Sequence, residues 1–405
     1  MYKVKPKQII NKISYLNFLT SNHNSDHKNN FTENFKNFIG MEYNPIYLGR
    51  ARIGIYLLIK NAIKTNKKKV ILSPYTIPDV INMVILAGGE PVFIDFISNS
   101  TNIDINQLEK LINHETAVVL ITHYHTNQND FENIKLICNK FGSKLFEDCA
   151  ISLGASYNNI HVGLNSDGGI LSFSGYKSLN FLWGGAIISN DLGNIDSINN
   201  DIKNWKTLSK LQYFSQFKKI LTYDLLTRNI IFDRLTFPVI KYNQKKNDIP
   251  VDFSLPRIES IKLSEDLLSL PHSHAYHEWN NKLMSMPEML LHRRKIFSVY
   301  SKYFSNIQIS KETKISILDE SACVNYPIYI GVKRRNSLYK EVIIKNIDVG
   351  LSLYPSCSKY PNFNNIKGYS DNSENLASSI ITLPTHARIT EDYANYISKV
   401  ILKLI

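Results

Sequence analysis

The chain has 405 residues, 43% of them hydrophobic and 20% charged, enough apolar material for a large core and a length that suggests two structural units. No run approaches the roughly 20 apolar residues that a membrane span needs, and the start, MYKVKPKQIINKISYLNF, is too broken by Lys, Asn and Ser to read as a secretory signal. The formal charge of +12 would suit nucleic acid, but the lysines are dispersed among asparagines and no helix-turn-helix, zinc-finger or RNA-binding signature is present, so no nucleic-acid partner is expected.

In chain order, residues 1–45 read as a polar N-terminal arm, irregular or helical, that covers another part of the molecule. Ile53 to Ile63 is apolar at helical spacing, and the basic turn Lys67 to Lys69 follows. Val70 to Leu72 reads as a strand, Pro78 to Ala87 as a helix stopped by Gly88-Gly89, and Pro91 to Phe96 as the next strand. Leu108 to Ile112 is a helix, Ala117 to Thr122 a strand, and Ile134 to Phe141 a helix. Leu145-Phe146 is then a short strand running into Glu147-Asp148. Ile170 to Phe173 precedes Lys177, and Gly184-Gly185 precedes the strand Ala186 to Ser189. Residues 191–250 form a basic, aromatic insertion. Helices and strands alternate again from about Ser254, with Tyr326 to Ile330 a strand and Thr390 to Ile405 an amphipathic helix.

Strands alternating with helices imply an α/β fold: a mostly parallel sheet with helices on both faces over residues 46–250, and a smaller C-terminal α/β domain over 251–405. Ligands in such sheets sit at the carboxyl ends of strands, and Asp148 directly follows one. No early Gly-x-Gly-x-x-Gly is present, so a dinucleotide is not expected. Cys138, Cys149, Cys323 and Cys357 show no paired spacing and read as free thiols, with a cytoplasmic protein as the default.

Pyridoxal phosphate needs a lysine to form an imine, a carboxylate to keep its ring nitrogen protonated, and donors for its phosphate. The sequence supplies these in order. Asp148 ends a strand in FEDCAISLGASY, Ser172 lies five residues before Lys177 in ILSFSGYK, and Gly184-Gly185 allows a tight turn after the lysine loop. Upstream, Gly49-Arg50-Ala51 precedes a helix whose first amides suit a phosphate.

These segments, LGRARIGIYLL, SPYTIPDVINMVILAGGEPVFIDF, THYHTNQNDFENI and FEDCAISLGASYNNIHVGLNSDGGILSFSGYKSLNFLWGGAIIS, resemble the DegT/StrS sugar aminotransferases, of the aspartate-aminotransferase fold (type I). The shared pattern is a glycine before the first helix, G-x-PVF-x-D, a histidine-bearing strand, E-D-x-A, S-F-x-x-x-K and G-G. The closing LPTHARITEDY is similar as well. The resemblance implies that Lys177 forms the imine and acts as acid–base catalyst, that Asp148 pairs with the ring nitrogen, and that Ser172 and the backbone of Arg50 and Ala51 hold the phosphate. It implies transfer of an amino group from an amino acid donor to a keto sugar acceptor, nucleotide-linked, in a homodimer. A dehydratase of this family carries His in place of the lysine, so Lys177 points to transfer. The same cofactor acting on a non-sugar ketone, or a weakened ligand-binding relative, are the alternatives.

Two positions depart from the pattern. Ile77 stands where an aromatic residue often stacks on the cofactor ring, and Ile151 where Gln or His contacts it. The neighbouring subunit's Arg-bearing loop has only Pro256-Arg257 as a counterpart, and in its place lies the 191–246 stretch with ten Lys/Arg and five Asp. That stretch reads as a helical lid, with a weak membrane-surface contact as the other reading. His272, His274 and His277 have ligand-like spacing but no matching carboxylates or cysteines, so no metal is expected. His123 and His125 lie at a strand end beside the site, and Arg293-Arg294 is placed on a helix facing solvent or the second domain.

Overall fold

The computed structural model describes residues 3–7, 9, 26–124, 130–175, 177–179, 183–247, 263, 267–305, 320–352 and 354–405. Its larger part is organised by seven strands: β1 (Ile46–Leu48), β2 (Lys69–Leu72), β3 (Glu90–Phe93), β4 (Thr116–Thr122), β5 (Lys144–Asp148), β8 (Gly168–Ser172) and β9 (Gly185–Ile188). A separate two-stranded ribbon, β6 (Ser156–Tyr157) with β7 (Ile160–His161), sits between β5 and β8 in sequence. The sheet order is β1-β9-β8-β5-β4-β2-β3. Strands β3, β2, β4, β5 and β8 are parallel, whereas β9 runs antiparallel to both β8 and β1.

The apolar runs of the central strands are continuous because both faces of the sheet are covered. Successive side chains point to opposite faces, and the packing divides accordingly. Val70, Leu72, Val118, Leu120 and Phe146 join the core that includes helix α2 (Ala51–Ala62) and helix α3 (Pro78–Leu86). Ile71, Val119, Ile121 and Leu145 join a second core under α4 (Ile105–Leu111) and α5 (Phe131–Phe141). Helix α5 stops at Gly142, whose φ of 61° lies in the left-handed region that ends helices.

The N-terminal helix α1 (Asp26–Ile39) is built into the first core, its buried Phe31 and Phe35 meeting Tyr47, Phe173 and Trp279. The insertion is helical almost throughout. Helix α6 (Leu192–Ile202) leads to α7 (Lys210–Thr227), which opens on a capping box between Ser209 and Gln212. After a π-helical turn at Phe232–Thr236 comes α8 (Phe237–Lys246).

Helices α9 (Ser273–Leu283) and α10 (Met286–Phe304) then lead to the smaller part, where β10 (Asn325–Tyr329) pairs antiparallel with β11 (Ile380–Pro384). Around this hairpin pack α10, α11 (Val332–Ile344) and α13 (Glu391–Leu402), together with Phe232 and Phe237 from the insertion. The two parts are joined at Asp95, the aspartate of the PVFIDF segment. Its carboxylate accepts from the amides of Asn372 and Ser373 at 2.7 Å each, and so caps α12 (Asp371–Ser379). Asp95→Ala is expected to cost about 2 kcal/mol in urea unfolding, because it leaves those amides without their acceptor.

Two buried histidines are fixed in the neutral state. His161 donates from Nδ1 to the Val162 carbonyl and accepts at Nε2 from the Gly154 amide, and burial pushes it down to about 4. His386 donates from Nε2 to the Pro6 carbonyl and accepts at Nδ1 from the Arg388 amide, and burial pushes it down to about 3. Below pH 6.5 the unfolded chain takes up protons at both positions while the folded chain does not. Stability is therefore expected to fall between pH 6.5 and 4 by up to about 1.4 kcal/mol per pH unit for each histidine. Urea midpoints compared at pH 7 and pH 5 measure this, and His161→Gln should flatten the dependence.

Candidate active site

The carboxyl ends of β5 and β8 and the first turn of α2 line an open cleft. Arg50, Ala51, Ile77, Asp148, Ser172 and Lys177 all line it, so six residues chosen from sequence for one chemistry meet in one place. Asp148 is brought there by register: it ends β5 paired between Thr122 of β4 and Ile170 of β8. Ser172 is the last residue of β8, and its hydroxyl donates to the Ser174 hydroxyl at 3.4 Å. Lys177 follows in a turn closed by its own amide on the Ser174 carbonyl at 2.9 Å.

The electrostatics of the pair follow from enclosure. Burial raises the Asp148 carboxyl above its ordinary value, while the Ala150 amide at 3.0 Å and the charges of Lys177 and His123 pull it back. Burial lowers the Lys177 ammonium and Asp148 acts against it. A lysine held closer to neutrality is a better nucleophile and proton carrier than a solvated one.

Helix α2 begins at the cleft wall with no side-chain cap on its first amides and no acidic residue in its first turn. That is the arrangement an anionic group requires. The Gly-Gly motif makes the approach possible, though not by an unusual turn, since neither glycine has a positive φ. A Cβ on Gly185 would stand 2.6 Å from Ala51 Cα and 2.7 Å from the Leu171 carbonyl oxygen, and one on Gly184 would stand 2.3 Å from the Trp279 ring. The glycines let β9 lie directly against the helix start. Gly185→Ala is expected to destabilise the fold by about 1–3 kcal/mol and to weaken cofactor binding by moving Ala51, measurable by urea unfolding and cofactor titration.

Ile77, the residue before Pro78 of α3, lines the cleft as an apolar wall. Ile151 does not: it is buried at 4% exposure away from the lining, and Ala150 faces the cleft instead. His123 is also outside the lining. It is buried against Glu147 at 2.7 Å, and its amide donates to the Asp148 carbonyl, so it stands behind the aspartate. His125 and Pro256-Arg257 lie outside the described residues.

The remaining histidine cluster is structural. His272 stacks on Tyr213 at 4.6 Å and caps α9 through Nδ1, and His277 packs on His27 at 4.8 Å. Arg293 does not face solvent: it is 6% exposed and donates to the Ser178 hydroxyl at 2.7 Å, which ties α10 to the residue after Lys177. Arg294 reaches the Ser321 carbonyl at 3.1 Å.

Sequence reasoning missed Trp183, Thr76 and Tyr354, all on the cleft wall. Trp183 stacks under the Arg50 guanidinium at 3.8 Å, an aromatic–cation pair for which LGR and LWGG give no spacing signal. Tyr354 comes from the C-terminal part. The Tyr75 and Ser352 hydroxyls meet at 2.9 Å and the Cys357 amide donates to the Pro74 carbonyl, which pins this segment over the site. Lys177 Nζ lies 5.9 Å from the Tyr354 ring centroid.

Comparison with known proteins agrees with this geometry. Over 369 residues the chain is 23% identical to the dTDP-4-amino-4,6-dideoxy-D-glucose transaminase of Shigella dysenteriae, covering 91% of this chain and 87% of that protein. It is 28% identical over 163 residues to the UDP-4-amino-4,6-dideoxy-N-acetyl-beta-L-altrosamine transaminase of Helicobacter pylori, 40% of this chain and 43% of that one. Among solved structures, Helicobacter pylori PseC, an aminotransferase involved in the biosynthesis of pseudoaminic acid, superposes with a TM-score of 0.74 at 19% identity, covering 99% of both chains. Spr1654 from Streptococcus pneumoniae in its PLP form gives 0.71 at 14% identity, covering 100% of this chain and 98% of that one. Residues 8–212 and 279–402 match the family model, and the chain belongs to the DegT/DnrJ/EryC1/StrS aminotransferase family.

Proposed function

We propose that the protein is a pyridoxal-phosphate-dependent aminotransferase that moves an amino group from an amino acid donor to a nucleotide-linked keto sugar. The observation that carries this reading is the meeting of Lys177 and Asp148 in one cleft at the uncapped start of α2. The transaminase names of the relatives and the PLP-form and PMP-form structures of Spr1654 support it.

The residues fit the cofactor. Asp148 is a buried carboxylate with one oxygen already engaged by the Ala150 amide, and it would hold a proton on the ring nitrogen. Ser172 and the first amides of α2 would hold the phosphate, with Arg50 above them stacked on Trp183. Ile77 would pack against the ring through apolar contact alone. When bound, the cofactor supplies an electron sink that stabilises negative charge at the reacting carbon.

The protein's part is to place groups and move one proton. Lys177 would hold the cofactor through its Nζ, and the same amine, when free, would carry a proton at the reacting carbon. Enclosure holds that amine closer to neutrality, and Tyr354, whose hydroxyl burial keeps protonated, covers it. Asp148 is held in place by the Ala150 amide.

The sequence resemblance implies a homodimer with its sites at the interface, and we assign that assembly and a cytoplasmic setting to this chain. A two-step spectral assay tests the reading. The visible band of the loaded protein should disappear on adding glutamate or another amino donor and return on adding a nucleotide keto sugar. Protein that stays colourless after cofactor is added would overturn it.

A further inference from the structure

Nine of the 21 large apolar residues that stay exposed among the described residues fall between Leu211 and Tyr242. On α7, Leu211, Phe214, Leu221 and Leu225 recur at intervals of three, seven and four, which sets them along one side of the helix. Lys218 occupies the open position of that stripe and lays its Nζ 4.7 Å from the Phe214 ring centroid. The side carrying Tyr213, Phe217 and Ile220 is already buried in the protein. Helix α7 therefore has two apolar sides, and the fold uses one. From the π-helical turn into α8, Leu235, Val239 and Tyr242 repeat intervals of four and three, each at least 60% exposed.

The charge around these stripes has one sign. Residues 210–246 hold eight Lys/Arg and two Asp. Both aspartates are taken up internally: Asp224 is buried and paired with Arg228 at 3.2 Å, and Asp233 accepts from the Val4 amide at 3.1 Å. A second copy placed on this face by a twofold axis would bring a net +6 against a net +6. An anionic lipid surface offers apolar depth for the stripes and negative headgroups for the lysines.

We propose that α7 and α8 dock the protein peripherally on anionic phospholipid. No described helix is long and apolar enough to cross a membrane, so the contact is with the surface only. The helix that carries the stripe adjoins the cleft: on another of its sides Lys219 Nζ lies 5.4 Å from the Trp183 ring centroid, and Trp183 in turn carries Arg50 on the cleft wall. The inference goes beyond the aminotransferase reading and is tested without substrate.

The full chain is sedimented with vesicles of phosphatidylcholine containing phosphatidylglycerol, and with vesicles of phosphatidylcholine alone. Binding is expected to the anionic vesicles only, weakening about tenfold between low salt and ~0.5 M salt. Leu221→Ser/Leu225→Ser should weaken it about tenfold through lost apolar insertion, and Lys245→Glu/Lys246→Glu should do so through charge. Unchanged circular dichroism and cofactor absorbance show that the variants fold. Absence of binding to anionic vesicles overturns the proposal, as does binding that both variants leave unchanged. So does a lipid-free dimer that Leu221→Ser/Leu225→Ser dissociates, because a second copy then covers the face.

Discussion

Lys177→Ala is expected to leave a folded protein that has lost its visible cofactor band and about 10³-fold or more of its transamination rate, because anchoring and proton transfer both depend on one amine. The substitution removes only a side chain that lines an open cleft. Its energetic effect on the cofactor-free fold should be favourable. Burial lowers the Lys177 ammonium, so at pH 7 the folded state holds that charge less willingly than the unfolded chain does. A neutral side chain removes the penalty. Lys177→Met should therefore raise the urea midpoint of the cofactor-free protein while abolishing activity. Lys177→Arg separates charge from chemistry: it restores a cation beside Asp148 but, with its high proton affinity, supplies no neutral amine.

Asp148→Asn should behave in the same way for the opposite charge. The rate is expected to fall about 10²–10⁴-fold, since an amide cannot hold a proton on the ring nitrogen by charge. The carboxyl is raised by burial, so its ionised form costs stability once the pH exceeds the unfolded value, and that cost grows until the pH passes the folded value. At pH 7 the cofactor-free Asp148→Asn protein should accordingly be at least as stable as the parent, as urea unfolding would show. Loss of function with gain of stability marks residues held for chemistry. The reverse result at both positions, lost stability with retained turnover, would make them structural.

The sheet was legible because its strands are short apolar runs between turn signals and its helices carry a 3.6-residue repeat. The expected strand and helix positions from Val70 to Ser189 agree with the elements found to within a few residues. Strand β1 has only three residues and β11 follows a helix without a break, so neither announces itself in composition. The helical form of 210–246 was expected from its apolar residues spaced among lysines, whereas the capping box that opens it at Ser209 and the exposure of its second apolar side were not.

In the site, what the chain keeps close in sequence could be read: Asp148, Ser172 and Lys177 sit on adjacent strands and the turn after them. Residues brought in by tertiary packing could not. Tyr354 arrives through the Tyr75–Ser352 contact, Arg293 reaches Ser178 from α10, and Trp183 is set by its stacking on Arg50. Ile151 shows the limit of counting along a turn. Three residues past Asp148 the chain has already entered the bend whose Ser152 amide closes on the Cys149 carbonyl, and the side chain is buried elsewhere. The Gly184-Gly185 signal was real, but its cause is contact with Trp279 and Ala51, which only the folded chain reveals.

The most direct test of the account is covalent mapping. Protein loaded with pyridoxal phosphate is reduced with borohydride, digested, and analysed by mass spectrometry. The account predicts a single cofactor-modified peptide, the one containing Lys177, and none in Lys177→Ala. Modification at another lysine, or none in protein that binds the cofactor, would contradict it.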